Sequence, residues 1–192
     1  NQDKGVGITV FIGKKRGNAT TSDFSKSSLR QTVEAAYNIA RFTAADQAAG
    51  LPEPELLETH PQNLSLYYPW EIDTKEAINI AKRCEQAAFD VDSRISNSEG
   101  ANVHISHSHF IAASSDGFMA GYPYSNHSIS TVPIAGTAAN MQRDYWYTTS
   151  RNPNQLKSPE AVGCYAAQRA ISRLNGQRIT TRKCPVLFEA PI

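Results

Sequence analysis

Three histidines, His104, His107 and His109, lie close together in this 192-residue sequence, and metal chemistry is the first possibility they raise. In an extended segment alternate side chains share a face, so His107 and His109 point the same way with Val103, Ile105 and Ile111, and His104 points away. Two imidazoles so spaced can bind a divalent ion, with His127 on a neighbouring strand as the obvious addition. A zinc site wants a third or fourth ligand and hydrogen-bonded support around it. His107, His109 and His127 are therefore the candidate ligands, while hydrogen-bonded histidines on a surface or interface strand are the favoured reading, and no metal site is assigned.

Other constellations carry less. Asp90-Val91-Asp92-Ser93-Arg94 begins like a calcium loop, but Arg94 falls on a ligand position and Ile95 where a tight-turn glycine is needed. No H-E-x-x-H, G-x-S-x-G, S-x-x-K or Walker-type pattern occurs. Glu99, Asp116 and Asp144 are isolated in sequence and read as structural. Cys84, Cys164 and Cys184 are an odd number without C-x-x-C spacing, which suits reduced thiols in a cytosolic protein, buried as small apolar groups. No catalytic or cofactor-binding residue is assigned.

The elements that position these groups are legible from periodicity. Val6, Ile8, Val10 and Ile12 alternate as a strand, with Gly13 to Gly17 as a basic hairpin turn. Leu29, Val33, Ala36, Tyr37 and Ala40 recur at helical spacing behind Ser25 or Ser28 as cap. Gly50 to Pro54 and Tyr67 to Pro69 are loop-like, since proline removes donors and restricts its predecessor. Asp73 and Glu76 form a capping box before a stripe of Ala77, Ile80, Ala81, Cys84, Ala87, Ala88 and Val91. A third helix starts at Ser158-Pro159 and runs through Val162, Ala166, Ala170 and Leu174 to Asn175-Gly176.

Between the last two helices, Ala101 to Ser150 reads as an antiparallel meander, with Ala101 to Ala112, Phe118 to Ile134 and Met141 to Thr149 as strands. A final strand is expected near Pro185 to Glu189. The class is α+β: a mainly antiparallel β-sheet, including Val6 to Ile12, with helices packed on one face. Nineteen basic against eighteen acidic residues give a net charge of +1, so no global field argues for nucleic acid. The longest apolar runs are too short to span a bilayer, so no membrane role is expected.

Several segments, in order and spacing, resemble the PmbA branch of the TldD/PmbA zinc metallopeptidase family. They are Arg94 to Ala101, Gly121-Tyr122, His127-Ser128-Ile129-Ser130 and Met141 to Thr148. Gly7 to Val10, Gly17 to Asp23 and Ser158 to Gly163 add to the series. The resemblance implies that residues 1–192 are an amino-terminal domain truncated at both ends, with a second domain beyond Ile192. In the TldD branch zinc is held on an H-E-x-x-x-H helix after the strand corresponding to Pro185 to Glu189. That helix falls outside this sequence and is generally degenerate in PmbA chains.

The resemblance further implies a non-catalytic subunit, inactive alone and without zinc, in a cytoplasmic complex serving proteolysis and peptide maturation. The family is also described as modulators of DNA gyrase. The implied partners are a TldD-like subunit carrying the zinc, in a heterodimer or higher assembly, and unfolded peptide. The alternative is a stand-alone module that captures peptide on a strand edge or holds a metal on its histidines.

Overall fold

The computed structural model describes residues 2–58 and 60–190, and the backbone divides into two compact units. Residues 1–62 with 112–120 form one, and residues 63–111 with 121–192 form the other.

In the first unit, β1 (Val6–Ile12) and β2 (Lys15–Thr21) pair antiparallel, with Val6 opposite Thr21 and Ile12 opposite Lys15. Gly13 turns the chain at φ +56°, a conformation that favours glycine. The turn is thus shorter than the sequence suggested: Lys15 and Arg16 belong to β2. Helix α1 (Lys26–Phe42) starts where the Ser25 side chain accepts the Ser28 N–H at 3.3 Å. Its buried face is Thr32, Ala36 and Ala40, spaced one helical turn apart. A Cβ on Gly17 would lie 2.0 Å from the Ala36 carbonyl oxygen, so β2 rests backbone to backbone on α1.

The second unit holds α2 (Thr74–Phe89), α3 (Pro159–Ser172) and all of a four-stranded sheet but the hairpin tip at 112–120. The Asp73 carboxylate accepts the Glu76 N–H at 2.7 Å, and Ser158 Oγ accepts the Ala161 N–H at 3.2 Å, so both helices begin at their expected caps. The strands are β3 (Ile95–Ala113), β4 (Met119–Ala135), β5 (Gln142–Arg143) and β6 (Trp146–Ser150). β4 has β3 on one side and pairs antiparallel with β5 and β6. Along β4 every second residue from Ser125 to Ala135 is buried: Ser125, His127, Ile129, Thr131, Pro133 and Ala135. Two apolar clusters cover this face. One joins Ile80, Cys84 and Val162 to Ile129, and the other joins Ala88, Ala167 and Ala170 to Ala135 and Ile95.

The class is α+β with antiparallel sheets, and three expected details change. The strand runs form two sheets, β1 with β2 and β3 to β6, because pairing is decided across the fold and not within a run. The expected strand Met141 to Thr149 is broken. β5 and β6 share one register on β4, Arg143 facing Ile134 and Trp146 facing Thr131, and the gap falls opposite Val132 and Pro133. Pro133 has no N–H to give to a neighbour, so the ladder lapses there. Lastly, 185–189 is not a strand: Val186, Leu187 and Phe188 are exposed, and an extended segment without a neighbouring strand has no ladder to join.

α2 and α3 meet as closely as β2 and α1 do. A Cβ on Gly163 would fall 2.0 Å from the Cys84 carbonyl oxygen and 3.1 Å from the Ala88 nitrogen. In a helix interior alanine ordinarily gains about 0.5–1 kcal/mol over glycine, whereas overpacking costs about 1–3 kcal/mol or more, so the clash decides the sign. Gly163→Ala and Gly17→Ala are each expected to lower stability by about 2 kcal/mol or more in urea unfolding. Gly7→Ala, whose Cβ meets only Thr20 Cγ2 at 3.7 Å, should change it by no more than about 0.5 kcal/mol.

Candidate functional site

The buried face of β4 is half polar, and the groups that satisfy it assemble the one polar cluster of note in the second unit. Leu66 to Trp70, extended and interrupted by Pro69, runs ahead of α2 as a strap. Ser125 N–H donates to the Leu66 carbonyl at 3.0 Å, and Tyr68 N–H donates to Ser125 Oγ at 2.9 Å. The Ser125 hydroxyl has one hydrogen and gives it to the Arg151 carbonyl at 2.9 Å in preference to Leu66 at 3.4 Å. His127 Nε2 bonds the Tyr68 carbonyl at 2.8 Å, and Trp70 N–H donates to His107 Nε2 at 3.3 Å. Thr131 Oγ1 donates to the Gly100 carbonyl at 3.1 Å.

These partners fix the ring tautomers. A carbonyl only accepts, so His127 carries its hydrogen on Nε2, and its Nδ1 is a buried acceptor without a partner among the described residues. His107 accepts at Nε2 and carries its hydrogen on Nδ1. The two rings stand edge to face, 5.5 Å apart at 89°, with Trp70 5.6 Å from His127 and Tyr67 5.7 Å from His107.

The structure thus brings His107 and His127 together and leaves His109 out. The His109 ring is exposed and makes no hydrogen bond or ring contact among the described residues, and the same holds for the His104 ring. The Nε2 atoms of the pair are spent on the strap. Among the described residues no three His, Cys, Asp or Glu side chains converge as a metal site would need.

The acidic residues are engaged structurally. Glu99 pairs with Arg143, and Asp116 accepts from the Ser114 hydroxyl at the turn between β3 and β4, which lowers its pKa. The Asp144 carboxylate, only 10% exposed, sits 3.4 Å from Arg169 Nε and 3.6 Å from Arg173 Nη1. Arg169 also bonds Glu189 at 2.7 Å and lies over the Trp146 ring at 5.1 Å, so Asp144 ties the gap between β5 and β6 to α3. The hydrogen bond from Arg94 holds the Asp92 carboxyl down at about 2, so the second carboxylate of the apparent calcium loop is already paired. Burial, with the nearby Glu160 and Glu85 charges, pushes the Cys84 thiol up to about 12.

A groove of about 720 Å³ along the start of α2 mixes Glu71, Asp73 and Glu76 with Lys75 and Lys82. A smaller notch of about 150 Å³ is lined by Leu66, Phe110, Tyr122, Tyr124 and Arg151. The sequence reading missed it, because its walls come from four separate segments. The alternation of Tyr122 and Tyr124, which puts both rings on one face of a strand, is the signal that could have found it.

Two sequence profiles match the chain: domain 1 of the PmbA/TldA metallopeptidases over residues 1–40 and their central domain over residues 67–174. The chain belongs to the PmbA/TldD metallopeptidase family. The metalloprotease PmbA of Escherichia coli O157:H7 is 39% identical over 188 residues, covering 98% of this chain and 42% of that protein. A Haemophilus influenzae homologue is 39% identical over 97% of this chain and 41% of its own length. The chain thus spans about two fifths of the curated relatives it matches.

Solved family structures share the fold. A protein from Bacteroides thetaiotaomicron described as a modulator of DNA gyrase superposes with a TM-score of 0.79 at 20% identity, covering 91% of this chain and 40% of that one. TldE from Thermococcus kodakarensis gives 0.63 at 15% identity, covering 85% and 36%. The central-domain match takes in the strap, β3 to β6 and both helices of the second unit. Among the described residues no helix is long and apolar enough to cross a membrane.

Two measurements check the cluster. His127→Ala should lower stability by about 2–4 kcal/mol in urea unfolding, because it orphans the Tyr68 carbonyl and opens a cavity, while His107→Gln at the exposed ring should cost about 1 kcal/mol or less. In thiol titration of the folded chain at pH 8, exposed Cys184 should react and Cys84 should not until denaturant is added. The raised Cys84 pKa adds stability that is present below the ordinary thiol pKa, and that stability should fall as pH rises from about 9 toward 12.

Proposed function

We propose that this chain carries the first and central domains of a PmbA-branch subunit, the non-catalytic partner of a TldD-like chain in a cytoplasmic zinc-dependent peptidase complex. The substrate is unfolded peptide, and the work is proteolysis and peptide maturation. The observation that carries this reading is 39% identity to a metalloprotease PmbA across 98% of the chain.

The geometry favours the same assignment of roles. A zinc peptidase needs about three protein ligands, an open position for water and a general base beside it. In this chain His107 and His127 use their Nε2 atoms to hold the strap, and the carboxylates of Glu99 and Asp144 are bound to arginines. On this reading zinc resides in the TldD-like subunit. His107, His109 and His127 act as framework and surface residues here, and no catalytic residue belongs to this chain.

The test is co-purification of the parent protein with the TldD homologue of the same cell, with elemental analysis of the untagged chain alone and in the complex. A mixed assembly is expected, with zinc and hydrolysis of denatured protein only when the TldD-like chain is present. Recovery of homo-oligomers alone, with that homologue in excess, would overturn the pairing. One tightly held zinc in this chain, lost with activity in a His107→Ala/His109→Ala double variant, would overturn the non-catalytic role.

A further inference from the structure

The notch beside Ser125 is built from residues that the roles above leave unused. Phe110 and Tyr122 face each other with ring centres 5.7 Å apart, and Tyr124 comes next at 6.1 Å, so three aromatic rings make one continuous wall. The Arg151 guanidinium lies 5.9 Å from the centre of the Tyr124 ring, within cation–π range.

Arg151 differs from the arginines that hold the sheet and helices together. Arg83, Arg94, Arg143, Arg169 and Arg173 each face a carboxylate. Among the described residues Arg151 has none. The one hydrogen bond of its guanidinium among those residues is a long one, Nη1–H to the Ser125 carbonyl at 3.4 Å, which leaves the rest of the planar fork unspent.

The walls are fixed before anything binds. Ser125 is fully buried, and its hydroxyl is bonded to the Arg151 carbonyl and near that of Leu66, so both sides of the notch hang on one side chain. Such a site loses little entropy on binding. Its volume of about 150 Å³ is well below the roughly 300–1,000 Å³ of small-molecule pockets and suits a single amino-acid side chain. One wall residue, Phe110, belongs to β3, which ends the sheet among the described residues and there offers an unpaired edge to an extended backbone.

We propose that this notch takes the last residue of an extended peptide, with an apolar or aromatic side chain against Phe110 and Tyr122 and its terminal carboxylate on the Arg151 fork. The chemistry is guanidinium–carboxylate pairing beside an aromatic wall. A nucleotide would set base and phosphate against the same two features but is larger than the notch. The choice of a peptide rests on the peptidase-complex reading. The binding itself is a property of this chain and needs no partner.

The experiment measures fluorescence anisotropy of a short peptide, labelled at its amino end and ending in Phe, titrated with the 192-residue chain. The same peptide is run with an amidated end, and again with an internal Asp beside the amidated Phe. Saturable binding of the free acid is expected, with both amidated forms at least about tenfold weaker, equivalent to about 1.4 kcal/mol. Arg151→Gln keeps the main-chain carbonyl that Ser125 uses and should abolish the difference between acid and amide. Tyr122→Ala, at an exposed ring, should weaken the acid while leaving the unfolding midpoint unchanged.

Should Arg151→Gln fail to fold, Arg151→Lys keeps the charge without the fork and should narrow the acid-to-amide ratio. Equal binding of acid and amide, no saturable binding, an undiminished ratio in the Arg151 variant, or displacement of the peptide by adenosine monophosphate would each overturn the proposal. Because the assay contains no TldD-like chain, its failure leaves the co-purification result standing, and a failed co-purification leaves this binding intact.

Discussion

At Gly163 the backbone of α3 lies directly on that of α2, with no space between them for even one methyl group. The residues around the contact are small for the same reason: Cys84 and Ala88 on one helix, Ala166, Ala167 and Ala170 on the other, all essentially without exposure. Closely approached helices act as one thick plate, and that plate covers the buried face of β4 through Ile129 and Ala135. A wider spacing between the helices would withdraw part of the cover. The exposed cost would fall on Ser125, His127 and Thr131 as well as on the apolar positions, since all six alternate on one face.

That mixed face explains why the segment before α2 is held in place despite its proline. A buried polar group left without a partner costs about 1–3 kcal/mol, and a domain's net stability is only about 5–15 kcal/mol. Two such groups unpaired would remove a large part of it. Leu66 to Trp70 supplies the missing partners in turn: the carbonyls of Leu66 and Tyr68 and the N–H groups of Tyr68 and Trp70. The strap is therefore part of the core in energetic terms, although it has no regular secondary structure. Its loss would also dissolve the notch, which takes Leu66 as one wall.

Local signals in the sequence were good guides wherever the deciding chemistry is local. Asp73 with Glu76, and Ser158 with Pro159, mark helix starts by bonds that span three residues or fewer. The Ser125 to Ala135 alternation and the stripes of α2 and α3 are equally readable. What escaped depends on partners far along the chain. The break in Met141 to Thr149 is caused by Pro133 on the opposite strand. The start of β3 at Ile95, six residues before the expected Ala101, comes from pairing that Ser96 to Gly100 do not favour by propensity. Alternation placed His107 and His109 on one face, but it could not show that a strap would claim His107 and pass over His109. The notch was hidden for the same reason, since no window of sequence contains both Phe110 and Arg151.

The distribution of unspent chemical capacity bears on what such a chain contributes to an assembly. A hydrolytic centre needs lone pairs free to meet a metal or a water proton. Among the described residues of the second unit, Nδ1 of His127 is a buried lone pair without a partner, and the carboxylates of Glu99, Asp144 and Glu160 are each paired with an arginine. Such pairing favours a fixed framework over proton transfer. The capacity left at the surface among the described residues is of another kind: the outer edge of β3, a row of aromatic rings and the Arg151 fork beside them. Strand edges, aromatic faces and guanidinium groups hold chains in place without breaking bonds in them. The proposed pairing with a zinc-bearing subunit calls for a division of this kind, with recognition on one chain and reaction on the other.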